Sequence, residues 1–440
     1  MVLPLIGMDI SMNKITLFLF VSAGLIISPL TLAESASPWT LNSSIQRAMK
    51  VAPEMKVADA EIGKQQGKIE QADAWPNPSV SLQVDDSLGL EDNSGDYDVT
   101  QLAITQSLPF GRLTHQRQEA EAGLASAEAQ RRHQQLLLEY KVAQRFHVLQ
   151  LTESELQLAK KRLEQASRYQ NTGRKHRSGD PLIRYLTPLE TMRLDIVLQV
   201  AKQTMEVAEG EFNEAAASFK ALLGMSVDTP ISLTALSSVP TPDQFNILEN
   251  NLQLHPAIES EKKNISSLQA SVAVAKSKRF EAPSLTVTRE EGYYASRKQD
   301  STSVMLSVQV PLWNRNNGRV TQARYMVHQA QADLQQKQRE LQTNLHKSYL
   351  HLGHLIEQAE HYRTKLLSPA QRVFTLTRKG FKAGELNILT LIDANNTYFD
   401  AQARYFELLH EGWLELAMVR MSAGQSLVTN TPMSNNGEVK

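Results

Sequence analysis

The chain contains no cysteine. That excludes disulfide staples, and it excludes a lipid attached to cysteine after leader cleavage. Aromatic residues make up only 6% of the 440, while Gln and Ala are abundant, a mixture better suited to long helices in close contact than to a thick globular core. Neither sign of charge is in excess. Lys and Arg number 46 against 47 Asp and Glu, a balance that gives no reason to expect nucleic acid as a partner. Beyond residue 34 no stretch approaches the ~20 apolar residues of a membrane helix. There is no Gly-rich phosphate loop, no Gly-x-Ser-x-Gly and no ligand-spaced His set, so neither catalysis nor a cofactor is expected.

The N-terminus reads as an address. Lys14 precedes the apolar run Ile15 to Leu30, and the small residues Thr31 and Ala33 follow. Charge, apolar stretch and small-residue exit make a secretory signal over residues 1–33, cut after Ala33. Met12 is the expected start of translation. An exported chain without membrane helices is either periplasmic or crosses the outer membrane as strands.

The chain is a duplication. A helix containing Pro53 has its counterpart in one containing Pro256. The alternating run from Pro78 to Val84 matches that from Pro283 to Thr288. A second alternating run ends at Pro109 in one half and at Pro311 in the other. Ser178-Gly179-Asp180 matches Ala383-Gly384-Glu385, and both the Pro78/Pro283 and Gly179/Gly384 pairs are offset by 205. The expected units are residues 34–223 (strands 79–84 and 99–108, helical hairpin 112–222 turning near Gly179), a Pro-, Ser- and Thr-rich connector 224–245, and residues 246–424 (strands 284–291 and 302–310, hairpin 318–423 turning near Gly384). A polar tail, 425–440, is expected to be disordered.

The strands alternate cleanly. Val80, Leu82 and Val84 oppose Ser79, Ser81 and Gln83, and Val304, Leu306, Val308 and Val310 oppose Ser303, Ser307 and Gln309. Such strands present one apolar and one polar face, as in a membrane barrel or a hairpin on a soluble core. Between them, the acid-rich stretch Asp85 to Asp98 and the segment Arg289 to Asp300 read as solvated loops. The helices carry heptads. Leu341, Leu345, Ser348, Leu352, Leu355, Ala359, Tyr362 and Leu366 form an unbroken seam. Val142, Leu149, Leu156 and Leu163 recur every seven residues with Thr152, Ala159 and Ala166 beside them, and Leu182, Leu186, Leu189, Ile196, Val200 and Val207 continue after the turn. A helix from Thr114 to Arg177 would be a rod of about 95 Å. In the second half, Pro369 should kink the helix that carries the Leu341 to Leu366 seam. In the segment Arg315 to Gly318, Gly should supply the unusual backbone angle and Asn the helix cap.

Four two-faced strands cannot close a barrel, since the smallest membrane barrels need about eight. Several copies must therefore share one sheet if the strands span lipid, and a ring of strands continuing into coiled helices is a tube. In element order, in duplication and in the turn Ala383 to Ala394, the chain resembles the TolC-type outer-membrane efflux proteins. Trp75-Pro76-Asn77-Pro78, Leu108 to Arg112 and Val310 to Gly318 resemble, within that family, the outer-membrane components of cobalt–zinc–cadmium resistance pumps. The resemblance implies a mainly α homotrimer, with a twelve-stranded β-barrel in outer-membrane lipid above a twelve-helix α-barrel in the periplasm. It also implies a periplasmic adaptor and an inner-membrane resistance–nodulation–division pump as partners. A multidrug or type I secretion duct shares this fold, and an adaptor is the rival from another class, although adaptors usually have one hairpin.

The resemblance places the periplasmic entrance at the Gly turns. Its candidates here are Glu385, Thr390 and Asp393 in the second half and Arg184 and Tyr185 in the first. The family often has Asp where Thr390 stands and Arg where Leu386 stands; both are missing here, so the resemblance does not carry over the family's usual ion-pair lock, and Arg184 is the candidate to take part instead. Three copies of Asp393 would make an acidic ring that favours cations. Of 11 histidines, His346, His351, His354 and His361 share one helix. His351 and His354, three apart, are the metal candidates, but zinc wants about three protein ligands.

Overall fold

The computed structural model describes residues 38–85, 99–176, 187–294 and 297–428. The expected signal, the first interstrand loop, Gly179, Arg184 and Tyr185 lie outside the described residues. From Pro38 onward the chain is one unit.

Each repeat opens with two helices where one was expected. α1 (Leu41–Val51) is capped by Thr40, whose hydroxyl accepts the Ser43 N–H, and α2 (Pro53–Asp73) starts afresh at Pro53. A residue before proline avoids the helical region, and proline at a first helical position forfeits no hydrogen bond. Ala52 is extended accordingly. The second repeat does the same: α5 (Phe245–Asn251) and a short 3₁₀ turn end at the extended His255, and Pro256 opens α6 (Pro256–Ser277).

Four strands form one antiparallel sheet in chain order: β1 (Ser79–Asp85), β2 (Val99–Ser107), β3 (Ser284–Tyr294) and β4 (Arg297–Ser307). β2 and β3 pair across the repeats, with Ile104 opposite Val287. The second strand pair departs from expectation. Arg289 to Tyr294 and Arg297 to Asp300 are not loop but continue both strands, their charged side chains still exposed to solvent while pairing across the ladder. Arg289 donates to Asp300 at 2.7 Å, and Lys298 meets Glu291 at 3.0 Å. β4 ends at Ser307, short of the expected Val310, since β3 begins at Ser284 opposite that residue and offers nothing further to pair with.

α3 (Arg112–His176) is a single helix of 65 residues, and α4 (Pro188–Leu222) returns along it. The second hairpin is α7 (Asn317–Tyr362), a wide π turn (Arg363–Leu367), α8 (Ser368–Lys382) and α9 (Ile388–Ser422). The π turn precedes Pro369, which cannot donate to the carbonyl four residues back. At the start of α7 the roles differ from expectation. Asn316, not Gly318, takes the left-handed backbone (φ 58°), and its side chain caps nothing but donates to the Ala275 carbonyl at 2.6 Å.

The α3 seam is buried as read: Val142, Leu149, Leu156, Thr152, Ala159 and Ala166 all face inward. So are Leu345, Ser348, Leu352, Leu355 and Ala359 of α7. On α4 the expected stripe points the other way. Ile196 and Val200 are 61% and 49% exposed, and α4 instead buries Leu194, Leu198, Ala201, Ala208 and Ala215 against its neighbours. The connector is no slack linker. The Trp39 N–H donates to the Ser232 carbonyl at 2.8 Å and its carbonyl accepts the Thr234 N–H at 3.1 Å, Gln150 donates to the Thr234 carbonyl at 2.6 Å, and Trp413 donates to the Ser237 carbonyl at 2.9 Å. Gly412 allows this approach, since a Cβ there would lie 2.8 Å from Val239. The start of the polar tail is also held. Ser426 and the Leu427 N–H both donate to the buried Glu139, so residues 425–428 are placed rather than disordered.

Candidate functional site

The sheet has two unlike faces. Val80, Ile104, Val287 and Val304 share one cross-strand row, flanked by Leu82 and Leu102 on one side and Leu285 and Leu306 on the other. These side chains stand out from the protein, with Val80 66% and Val304 69% exposed. The opposite face carries Ser79, Thr105, Thr286 and Met305, then Ser81, Ala103, Thr288 and Ser303, with Thr105 and Thr286 hydroxyls 2.9 Å apart. Beyond the end of β4 the apolar alternation continues at Val308 and Val310. From Thr302 to Val310 an extended chain covers about 27 Å along its own direction at ~3.4 Å per residue, or about 20 Å of height at the tilt of roughly 40° usual in outer-membrane barrels, most of their ~25 Å apolar band. An exposed aromatic stands at each of the four strand–helix junctions: Trp75, Phe110, Phe280 and Trp313, the last 92% exposed. Such residues belong where lipid meets water.

At the other end of the helices, α8 closes in a glycine-dependent turn. Gly384 has φ 76°, the Glu385 N–H donates to the Gly380 carbonyl at 2.9 Å, and Leu386 folds back over Gly380. Asn387 then caps α9, accepting the Thr390 N–H at 2.9 Å. Thr390 thus shapes the helix start. Glu385, Thr390 and Asp393 are all exposed, and among the described residues the Asp393 carboxylate has no ion-pair or hydrogen-bond partner. Behind them Leu194, Phe374, Ile388 and Leu391 are buried together, and Phe374 stacks on Tyr398 at 5.5 Å, so both hairpins support the turn.

Midway along the helices lies an acidic recess that sequence reading missed. Glu155 of α3, Glu211 of α4 and Asp400 of α9 line a cavity of about 200 Å³, and Glu407 lies close by. Burial, then the charges of Glu211 and Glu407, push the Glu155 carboxyl up to about 7. Arg162 offsets part of this charge, bonding Asp400 at 3.2 Å and Asn396 at 2.9 Å. Only the i, i+7 spacing of Glu155 and Arg162 hinted at a shared face. The metal candidates do not converge. His351 lies 3.4 Å from Glu415, His354 is exposed, and no group of three or more ligands that could hold a metal occurs among the described residues.

A family model described as outer membrane efflux protein matches residues 44–179 and 247–411, one stretch in each repeat. The cobalt-zinc-cadmium resistance protein CzcC of Cupriavidus metallidurans is 23% identical over 382 residues, covering 86% of this chain and 88% of that protein. Among solved structures, CusC, described as forming a transmembrane channel, matches with a TM-score of 0.70 at 17% identity over 88% of this chain and 92% of its own. The open-state MtrE outer membrane channel of Neisseria gonorrhoeae matches with a TM-score of 0.69 at 14% identity, covering 88% and 89%.

Proposed function

The chain belongs to the outer membrane efflux protein family, and from that premise we propose that three copies close into one duct that carries heavy-metal cations out across the outer membrane. The observation that carries this reading is the pair of open edges. β1 and β4 each lack a neighbour on one side, and the sheet they bound is apolar on one face and polar on the other. Lipid does not tolerate unpaired strand edges, so the β4 of one copy meets the β1 of the next. Three copies supply twelve strands, with the polar face turned to a water-filled lumen.

The helices support the same closure. α4 packs mainly on α3 and α8 mainly on α9 and the π turn, with Leu194 and Phe374 meeting α9 only near the turn, so over most of their length these two are the outer members of the helical layer. α4 exposes Leu189, Met192, Ile196, Val200 and Val207, while α8 and the turn before it expose Leu366, Val373 and Leu376. Residues 188–222 contain six acids and three bases, whereas residues 363–382 contain six bases and no acid. Unlike edges of opposite charge fit a head-to-tail ring.

In this assembly Asp393 lies near the entrance as an acidic ring, with Glu385 and Thr390 beside it and Arg184 and Tyr185 from the first hairpin completing the gate. A periplasmic adaptor and an inner-membrane pump would meet the helical end, and the pump would supply the energy. The metal cargo rests on the likeness to the cobalt-zinc-cadmium resistance protein. A deletion strain challenged with zinc, cobalt, cadmium, nickel and copper, and in parallel with several drugs, tests it. Metal sensitivity is expected. Drug sensitivity with normal metal tolerance would leave the duct and remove the metal.

A further inference from the structure

Four histidines are buried or half-buried where the first repeat meets the second. On α3, His133 and His147 are 14 residues apart, about four turns, and so lie along one face. His133 is 5.7 Å, ring to ring, from His255 at the start of α6. His147 stacks on Trp413 of α9 at 5.1 Å and 17°, and its backbone carbonyl accepts from His410 Nδ1 at 3.1 Å.

Hydrogen bonds set the neutral tautomer of two of these rings, while His133 Nδ1 is buried with no partner among the described residues. His255 Nδ1 accepts the Ala257 N–H at 3.1 Å, so Nε2 carries the proton and donates to the Met421 carbonyl at 3.2 Å. Gln150 gives its amide N–H to Thr234 and therefore turns its oxygen to His147 Nδ1, 2.8 Å away. That places the proton on Nδ1 and leaves Nε2 with no hydrogen-bond partner among the described residues. A second proton on His255 would set two N–H groups face to face, and one on His147 would be buried without an acceptor.

The surrounding charges do not rescue a cation here. Lys337 of α7 adds repulsion toward both His133 and His255. On α6, Glu259 is held by Arg132 at 2.7 Å. On α9, Glu415 lies against His351, and only Glu411, beside His410, favours a proton. The fully buried Glu139 is engaged by Gln135, Ser426 and Leu427, and the connector offers the carbonyls of Thr234 and Ser237.

We propose that this histidine seam is an acid-released clasp, closed while its rings are neutral and loosening the hold of α3 on α6 and α9 as protons accumulate. An ordinary histidine titrates near 6.5, whereas burial lowers both His133 and His147 to about 4. Between those values an opened seam binds protons that the closed one refuses. Closure is therefore complete above about pH 6.5 and weakens as pH falls toward 4. For His147 alone, passing from pH 7 to pH 5 shifts the opening equilibrium on the order of tenfold.

Amide hydrogen exchange of the full chain in detergent, corrected for the intrinsic effect of pH, tests the clasp. From pH 7 to pH 5, protection in residues 133–150 and 410–424 should fall about tenfold, while residues 388–399 near the turn keep theirs. In the double variant His133→Gln and His147→Gln the selective fall should shrink below about threefold. A flat or uniform wild-type profile overturns the proposal by itself, whether or not the double variant assembles. So does a selective fall that persists undiminished in the variant.

Discussion

Glu139 offers the sharpest test of how the chain is tied together. Its carboxylate is fully buried and accepts three hydrogen bonds: from the Leu427 N–H at 2.6 Å, Ser426 Oγ at 2.8 Å and Gln135 Nε2 at 3.0 Å. Two of these come from the segment that follows α9, so one side chain on α3 fixes the end of the described chain. Glu139→Ala removes the acceptor oxygens of all three bonds at once. The Gln135 bond lies within α3, so undocking of the tail feels only the other two: the buried Leu427 N–H loses about 1–3 kcal/mol, and Ser426, which can turn to water, loses about 0.5–1.5 kcal/mol. A net cost of about 3 kcal/mol multiplies the undocking equilibrium of residues 425–428 by roughly 100.

Limited proteolysis under native conditions reads that number, because cleavage of a transiently open segment follows its open population when reclosing is fast. The tail should be cut on the order of 100-fold faster in Glu139→Ala, while α9 itself stays protected. Glu139→Gln, which keeps the shape and one acceptor oxygen, should fall between. Cleavage of the Ala variant within threefold of the parent would mean that Leu427 and its neighbours hold the tail by packing alone, and the reasoning would be wrong.

Other perturbations probe other levels. Ile196→Glu puts a charge in the exposed α4 stripe and should yield single copies by light scattering in detergent, with helix content by circular dichroism unchanged; intact trimers would show that this stripe is not an interface. Asp393→Ala should raise single-channel conductance or weaken cation block in planar bilayers, and unchanged values would remove Asp393 from the gate. Leu408→Ala, at a side chain fully buried with Leu355 and Ala359, should cost about 2–5 kcal/mol and lower the thermal midpoint; a loss under about 1 kcal/mol would mean the site refills. Gly384→Val forces a branched residue to φ 76° and should loosen the turn by about 1–2 kcal/mol, seen as faster exchange of the Glu385 amide; an unchanged rate would place the turn's stability elsewhere.

The long-range plan was legible in sequence because it is written in period and punctuation. Heptads on α3 and α7 mark seams covered within the same chain, and prolines mark where strands meet helices. The failures have physical causes. On α4 the large residues Ile196 and Val200 drew the eye, but the tight contact with α3 is made by alanines such as Ala201 and Ala208, which recur every seven residues with Leu194 and Ala215 and were outweighed by the bulkier stripe. Charge density between β3 and β4 implied a loop, yet cross-strand pairing of Arg289 with Asp300 satisfies it within a ladder. Glu139 and the seam histidines were invisible because their partners come from distant segments: Leu427 lies 288 residues from Glu139.

That α4 stripe also explains why one copy is an incomplete object. Its outer edges are not alike. One side presents β1 and the acidic, apolar α4; the other presents β4 and the basic α8. A two-fold that paired an edge with its own copy would bring acid to acid or base to base, and would leave the remaining edges open. A rotation that sets the basic side of one copy on the acidic side of the next satisfies helices and strands with a single operation, and repeating it closes a ring. Strand arithmetic then bounds the ring: two copies give eight strands, three give twelve and four give sixteen, all even as membrane barrels require. The choice among these depends on the angle between the two edges of one copy. The hairpins fix that angle through the packing of α3 against α9. In the proposed ring, the contact of α3 with α9 that holds His147 and His410 would therefore also set the width of the tube.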